Sequence, residues 1–235
     1  MPRKSRAPAP RRTRREQAQE TRRRMVDAAA DLILERGYAA TTMADVAKHA
    51  RVAVQTVYFT FHTKAALFLE VVLRLSGGSE AATPVMERAW IQEAREAPSP
   101  ARALAILVEN GTDLFGRLMP VWGSIQAACA TDPAFAARFE AVVAARRQGM
   151  RALLTALAGR GALRAGVSLE RAADTLFLLQ SPQLLSLATT VLGWPAERFK
   201  AWTYLTMLPL LDEPSTGQAA LRGLSFAADF AALTG

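Results

Sequence analysis

From Met25 the apolar side chains fall at Met25, Ala28, Ala29, Leu32 and Ile33, the i, i+3, i+4, i+7, i+8 stripe of an amphipathic helix. Gly37 stands where such a helix stops. Thr42, with Asp45 three residues on, makes a capping-box start for a second helix that carries Met43, Val46, Ala47 and Ala50 on one face. That helix has room for about two turns before the chain bends near Arg51. A third short stripe, Val54, Val57, Tyr58 and Phe61, follows at once. Thr63 then caps a fourth helix from Lys64, with Ala65, Leu67, Phe68, Val71, Val72 and Leu75 as its apolar content and Gly77-Gly78 at its end.

The remaining pattern is helix after helix. Thr83-Pro84 and Ser99-Pro100 are cap-then-proline starts, because the first helical position needs no N–H. A segment over about 118–130 comes next, and Asp132-Pro133 opens the longest run, to about Gly159. Ser168 with Arg171 opens another, broken at Ser181-Pro182, and Trp194-Pro195 opens a run through Leu211. Beyond Pro214 the pattern weakens, and 219–233 reads as a loosely attached final helix. Ala and Leu dominate the 51% apolar content, and no convincing strand alternation or internal repeat occurs. The fold class expected is all-α: a small amino-terminal three-helix unit over 16–78 with its connecting fourth helix, a larger helical domain over 79–213, and a weakly helical tail over 214–235.

Charge alters this picture at one end only. Residues 1–24 hold ten basic side chains against Glu16 and Glu20, a net +8 that equals the formal charge of the whole chain. The first 15 residues, interleaved with Pro2, Pro8 and Pro10, read as a disordered basic arm. A cationic arm on an otherwise neutral protein suits a polyanion, either nucleic acid or an acidic membrane surface. No apolar run reaches the roughly 18 residues that a bilayer crossing needs, and no secretory signal follows the basic start. A soluble cytoplasmic protein is expected. Cys129 is the only cysteine, and His49 and His62 have no ligand partners at metal spacing. With neither a nucleophile elbow nor a phosphate-binding glycine loop, no catalysis, metal or cofactor is expected.

Three short helices at this spacing match a helix-turn-helix. The ordered set Ala28-Ala29, Gly37-Tyr38, Thr41-Thr42, Val46-Ala47, Thr56-Val57-Tyr58, Phe61 and Lys64 resembles the amino-terminal domain of the TetR family of bacterial transcriptional regulators. Glu87–Trp90, Ser181-Pro182 and Gly193-Trp194-Pro195 resemble the helical remainder of such regulators more loosely. The resemblance implies that the third helix, about 54–60, enters the major groove of DNA. Val54, Gln55, Thr56 and Phe59 are then the base-facing candidates, with Gln55 suited to adenine and Thr56 to a thymine methyl or a phosphate. Thr42, Tyr58 and Lys64 match positions that hold backbone phosphates, Thr60 and His62 lie at the same edge, and Val57 and Phe61 fill the core. His49 is expected on a solvated helix surface.

Two departures stand in the turn. The family usually has glycine where Arg51 stands and serine where Ala53 stands. Arg in a turn that favours positive φ costs about 1 kcal/mol, and the missing cap oxygen about another 1 kcal/mol. The compensating gain is a cation beside the groove, so Arg51 is expected to touch phosphate.

From residue 79 onward the resemblance implies a domain that binds a small-molecule effector and forms a homodimer. Trp90, Phe115, Met119, Trp122, Gln126, Phe139, Met150 and Phe177 are candidates for an apolar pocket, with Trp122 and Gln126 as one face of it. Apolar density at 176–179, 184–187 and 202–211 marks the expected dimer contact. The function that follows is a dimeric repressor, released from near-palindromic double-stranded DNA by an apolar or amphipathic ligand, with no membrane partner. Other classes left open are a helical membrane-surface or scaffold protein using the basic arm, an all-α enzyme, and a sequence-tolerant DNA binder driven by that arm.

Overall fold

Twelve α-helices and no strand occupy the residues that the computed structural model describes, 13–78, 83–212 and 218–234. The first, α1 (Arg14–Ala40), starts at a complete capping box: Thr13 accepts from the Glu16 N–H, and Glu16 accepts from the Thr13 N–H. The helix therefore includes Arg14 and Arg15, two residues earlier than the arm expected over 1–15 allows; residues 1–12 lie outside the described part. Its regular turns end at Gly37, whose φ of 83° is open to glycine and strained for other residues.

Next come α2 (Met43–Ala50), α3 (Val54–Phe61) and α4 (Lys64–Gly77). The Thr42–Asp45 capping box opens α2, and Thr63 caps α4 through the Ala66 N–H. The axes of α3 and α4 meet at 75°, which sets α3 across the end of the unit.

Beyond Gly78, Pro84 leads only into a single 3₁₀ turn, Val85–Glu87, before α5 (Ala89–Glu96). The expected starts at Ser99, Asp132, Ser168 and Ser181 are all real caps, opening α6 (Pro100–Gly116), α8 (Pro133–Ala158), α9 (Leu169–Leu179) and α10 (Pro182–Thr190). Between them α7 (Met119–Thr131) follows α6 directly, and α11 (Ala196–Met207) follows Pro195.

The tail differs most from expectation. A 3₁₀ turn, Gln218–Leu221, and α12 (Ala227–Thr234) are firmly packed: Leu221, Phe226 and Phe230 are buried, with both phenyl rings against Tyr204 of α11. The sequence pattern is weak there because three large apolar residues are spread over turns rather than along one helical face.

Two hydrophobic cores form, and they do not divide at residue 78. One joins α1–α4 to Phe115, Trp122, Ile125, Phe135 and Phe199 of the larger domain. The other gathers α5, α6, the end of α8, α9, α11 and α12. A buried polar pin supports the second: Lys200 Nζ lies 2.7 Å from Asp113 and 3.4 Å from Glu109, and donates to Ser225 Oγ at 2.9 Å. An ion pair this enclosed stays favourable only because its remaining hydrogen-bonding groups are met.

Candidate nucleic-acid interface

The chemistry of the amino-terminal face follows from what each side chain on α3 is left free to do. Val57 and Phe61 are buried and anchor the helix to α1, α2 and α4. Gln55 is exposed, Tyr58 is 50% exposed, and Phe59 is 83% exposed, the barest large apolar side chain among the described residues. Val54 is half-buried and leans on the core, so its reach outward is shorter than that of Gln55 or Phe59. Thr56 is half-buried, and its carbonyl accepts from the Thr60 hydroxyl at 2.7 Å. The Thr60 hydroxyl is thus satisfied within the helix.

The turn before α3 has the conformation expected of it. Arg51 adopts φ 56° and ψ 50°, the left-handed region, with its side chain exposed. Ala53 at the N-cap provides no side-chain acceptor. His62, which closes α3, is also at positive φ (61°), a strained conformation that sequence reading missed. Arg51→Gly should therefore raise folding stability by about 1 kcal/mol. The same change should weaken operator binding and flatten its salt dependence by about 0.9 in log–log slope for each phosphate no longer neutralised. Chemical denaturation and a salt titration of binding measure the two arms separately.

Two of the expected phosphate-holding groups are engaged within the protein. The Thr42 hydroxyl accepts from the Asp45 N–H and donates to its carboxylate at 2.6 Å, which holds the Asp45 carboxyl below its usual range. Lys64 donates to the Ala39 carbonyl at 3.3 Å and sits 4.1 Å over the Tyr38 ring, where burial lowers the pKa of its ammonium. Tyr58 and His62 are both exposed, and no hydrogen bond among the described residues engages either side chain. His49 is exposed as expected and lies 3.5 Å from Asp31.

Several acids of this unit are paired within it. Arg36 pairs with Asp45 at 2.9 Å, and Arg22 is held by Glu70 while its guanidinium covers the Phe61 ring at 4.7 Å. Arg14, Arg15, Arg24, Lys48 and Arg51 enter no ion pair among the described residues. Of these, Arg51 stands in the turn that leads into α3.

The larger domain divides the pocket candidates between its two cores, with Phe115 and Phe177 both beside Arg146. Phe115 and Trp122 are buried and Met119 and Phe139 half-buried in the first core, while Trp90 and Met150 line the second. Phe177 is half-buried, under the guanidinium of Arg146. The Trp122–Gln126 face does not form: Gln126 is exposed. The buried stripe of α7 runs Val121, Trp122, Ile125, Ala128, and Gln126 sits about 40° beyond Trp122, past its edge. Among the described residues no cluster of metal-ligating side chains occurs, and no single helix is long and apolar enough to cross a membrane.

A joint between the two parts has no local signal in the sequence. Tyr38, at the end of α1, donates its hydroxyl to Asp132, the N-cap of α8, at 2.5 Å. Burial and the neighbouring carboxylate raise the Tyr38 pKa, and the same bond holds Asp132 below the usual carboxylate range. Beside it the rings of Tyr38, Phe68 and Phe135 stack in sequence, with centroids 4.8 Å and 4.7 Å apart. Because Asp132 is depressed in the folded state, its contribution is present at neutral pH and is lost as pH falls below about 4.

Residues 25–71, which span α1 to α4, match the family model described as bacterial regulatory proteins, tetR family. Residues 25–71 are a TetR-family amino-terminal domain. Solved structures share the fold over most of the chain. NalD, the secondary repressor of the MexAB-OprM multidrug efflux pump in Pseudomonas aeruginosa, is 18% identical with a TM-score of 0.64, over 85% of this chain and all of that one. The SmeT–triclosan complex is 19% identical at TM-score 0.64, over 84% and 94%. A transcriptional regulator from Saccharomonospora viridis in complex with choline is 17% identical at TM-score 0.62, over 83% and 100%. No curated protein matches the chain. At these identities the solved structures carry the all-α arrangement, a helix-turn-helix unit followed by a larger helical domain.

Proposed function

We propose that this protein is a dimeric, sequence-specific DNA-binding regulator of the cytoplasm, a repressor that a small apolar or amphipathic ligand releases from a near-palindromic operator. The observation that carries the reading is the outward face of α3. Gln55, Tyr58 and Phe59 stand exposed on a helix whose other side, Val57 and Phe61, is locked into the core. A phenyl ring left 83% bare gains no hydrophobic burial unless a partner covers it, and a thymine methyl in the major groove is such a partner.

A second copy suits the apolar residues left open on the larger domain. Leu178 of α9, Leu187 of α10, and Val191 and Leu192 just beyond it are each at least half exposed. The inward burial of Ala201, Tyr204, Met207 and Leu211 moves the expected contact away from α11 and toward α9 and α10. Symmetric pairing there would present two copies of α3 to successive major grooves. Ligand control has a path through the Tyr38–Phe68–Phe135 stack, which ties α1 and α4 to the start of α8. Coupling of this kind is typically worth about 1–3 kcal/mol.

The test is a mobility-shift titration of the purified chain on the DNA upstream of its own gene. A sequence-selective, salt-sensitive shift is expected. Removing residues 1–12, which takes away five cationic side chains but keeps the Thr13 cap, should lower affinity and the salt slope while preserving sequence preference. Equal binding to unrelated duplexes would overturn sequence specificity.

A further inference from the structure

Arg146 is a cation of the larger domain that burial and two aromatic rings enclose without an ion pair among the described residues. It projects from α8 between two rings, with its guanidinium carbon 3.9 Å from the centroid of Phe177 on α9 and 5.1 Å from that of Phe115 on α6. Among the described residues no carboxylate lies within ion-pair reach of it. Its neighbours on the same helix are both paired: Arg147 with Asp174 at 2.9 Å, and Arg151 with Glu170 at 3.4 Å. Burial pulls the Arg146 pKa down to about 10, the mark of a cation that has given up water without gaining an anion.

The one protein acceptor it meets is fixed. Arg146 Nη1 donates to the backbone carbonyl of Gln180, at the C-terminal cap of α9, at 2.8 Å. Gln180 is buried, and its side-chain amide donates to the Leu107 carbonyl on α6 at 2.8 Å. It passes so close to Gly111 that a Cβ there would lie 2.7 Å from Gln180 Oε1. The guanidinium is therefore held at one corner, packed over the Phe177 ring with Phe115 nearby, and has four of its five N–H donors in no hydrogen bond among the described residues.

We propose that the seam between α6, α8 and α9 at Arg146 is the recognition point of the effector site, and that it takes a carboxylate carried on an apolar or aromatic body. Because the free N–H donors lie in the guanidinium plane, an acceptor approaches along its edge, where the planar fork and a planar carboxylate meet through two parallel hydrogen bonds. Phe115 and Phe177 give the body of such a ligand its apolar contact. The neighbouring second core is closed around a cavity of only about 10 Å³ lined by Leu104, Leu107, Leu154 and Met207, so the ligand enters by displacing side chains at the seam. This inference rests on the effector-controlled reading above and narrows it from apolar or amphipathic to anionic.

The probes are 3-phenylpropionate and decanoate, each set against its neutral primary amide, titrated calorimetrically into the full chain. Arg146→Lys keeps the charge and removes the fork; Arg146→Met removes both, and thermal melting verifies that each variant is folded. At least one acid is expected to bind about tenfold or more tightly than its amide. Arg146→Lys should weaken that acid about tenfold, and Arg146→Met should remove the difference between acid and amide. Equal binding of acid and amide, absence of binding by both acids, or an acid preference that survives Arg146→Met would each overturn the proposal. DNA binding without probe is read in the same samples. If the amides bind and release DNA as well as the acids do, effector control stands and the anion point falls. If no duplex is bound at all, the regulator reading fails on its own evidence.

Discussion

Replacing Phe135 by alanine should cost about 3–5 kcal/mol of folding stability. Phe135 is fully buried in the first turn of α8, stacked on Phe68 of α4 at 4.7 Å and close to Tyr38 and Phe139 at 5.8 Å and 5.9 Å. Truncation leaves a void where the helix-turn-helix unit meets the larger domain, and close-packed surroundings fill such a void only in part. The effect should go further than stability, since this stack, beside the Tyr38–Asp132 bond, joins α1 and α4 to α8. A ligand that releases DNA from the parent chain should release it poorly from the variant, even at temperatures where both are folded. Phe135→Leu, nearer in volume, should lose less stability and retain more of the release. Denaturant unfolding and DNA release measured side by side check both effects. Unchanged ligand release in a folded Phe135→Ala protein would place the coupling elsewhere.

The second large effect is expected on α3. Gln55→Ala should weaken binding to the preferred site by about 1–3 kcal/mol per half-site, and a symmetric dimer doubles the loss. Phe59→Ala should act in the same direction by removing an apolar contact. Both residues are exposed, so the melting temperature should stay within the range of ordinary surface substitutions, about ±0.5 kcal/mol in stability. Non-specific binding, which depends on the cations of α1 and the arm, should be nearly unaffected. Equal losses on specific and unrelated duplexes would assign these side chains to general adhesion rather than to reading bases.

What could be read from the chain alone was whatever is encoded locally. Ser99-Pro100, Asp132-Pro133, Ser168 and Ser181-Pro182 announce helix starts because a cap needs only its next three residues. The bend near Arg51 was legible because the stripe of α2 ends there, while its left-handed conformation was implied by the resemblance, whose members usually have glycine at that place. Features made by distant residues were not. The Tyr38–Asp132 bond joins positions 94 residues apart, and neither residue carries a local sign of the other. Arg146 looks like any arginine on a long helix until α6 and α9 bring Phe115 and Phe177 over it. The docking of the tail likewise depends on Tyr204, which receives Phe226 and Phe230 from beyond a break in the pattern. Lys64 and Thr42 teach the converse lesson. Their positions fit phosphate contacts, yet each is already bonded within the protein, so holding a phosphate would require exchanging one partner for another.

Selection of the purified full-length chain against a pool of randomised duplexes, at a fixed salt concentration, tests sequence-specific recognition through α3 most directly. The predicted result is a single enriched near-palindrome with half-site centres about 34–36 Å apart, or a multiple of that, bound by an even number of chains. Gln55→Ala should shift or flatten base preference at defined positions within each half-site. Enrichment of no common motif, or a preference that Gln55→Ala and Phe59→Ala leave untouched, would contradict it.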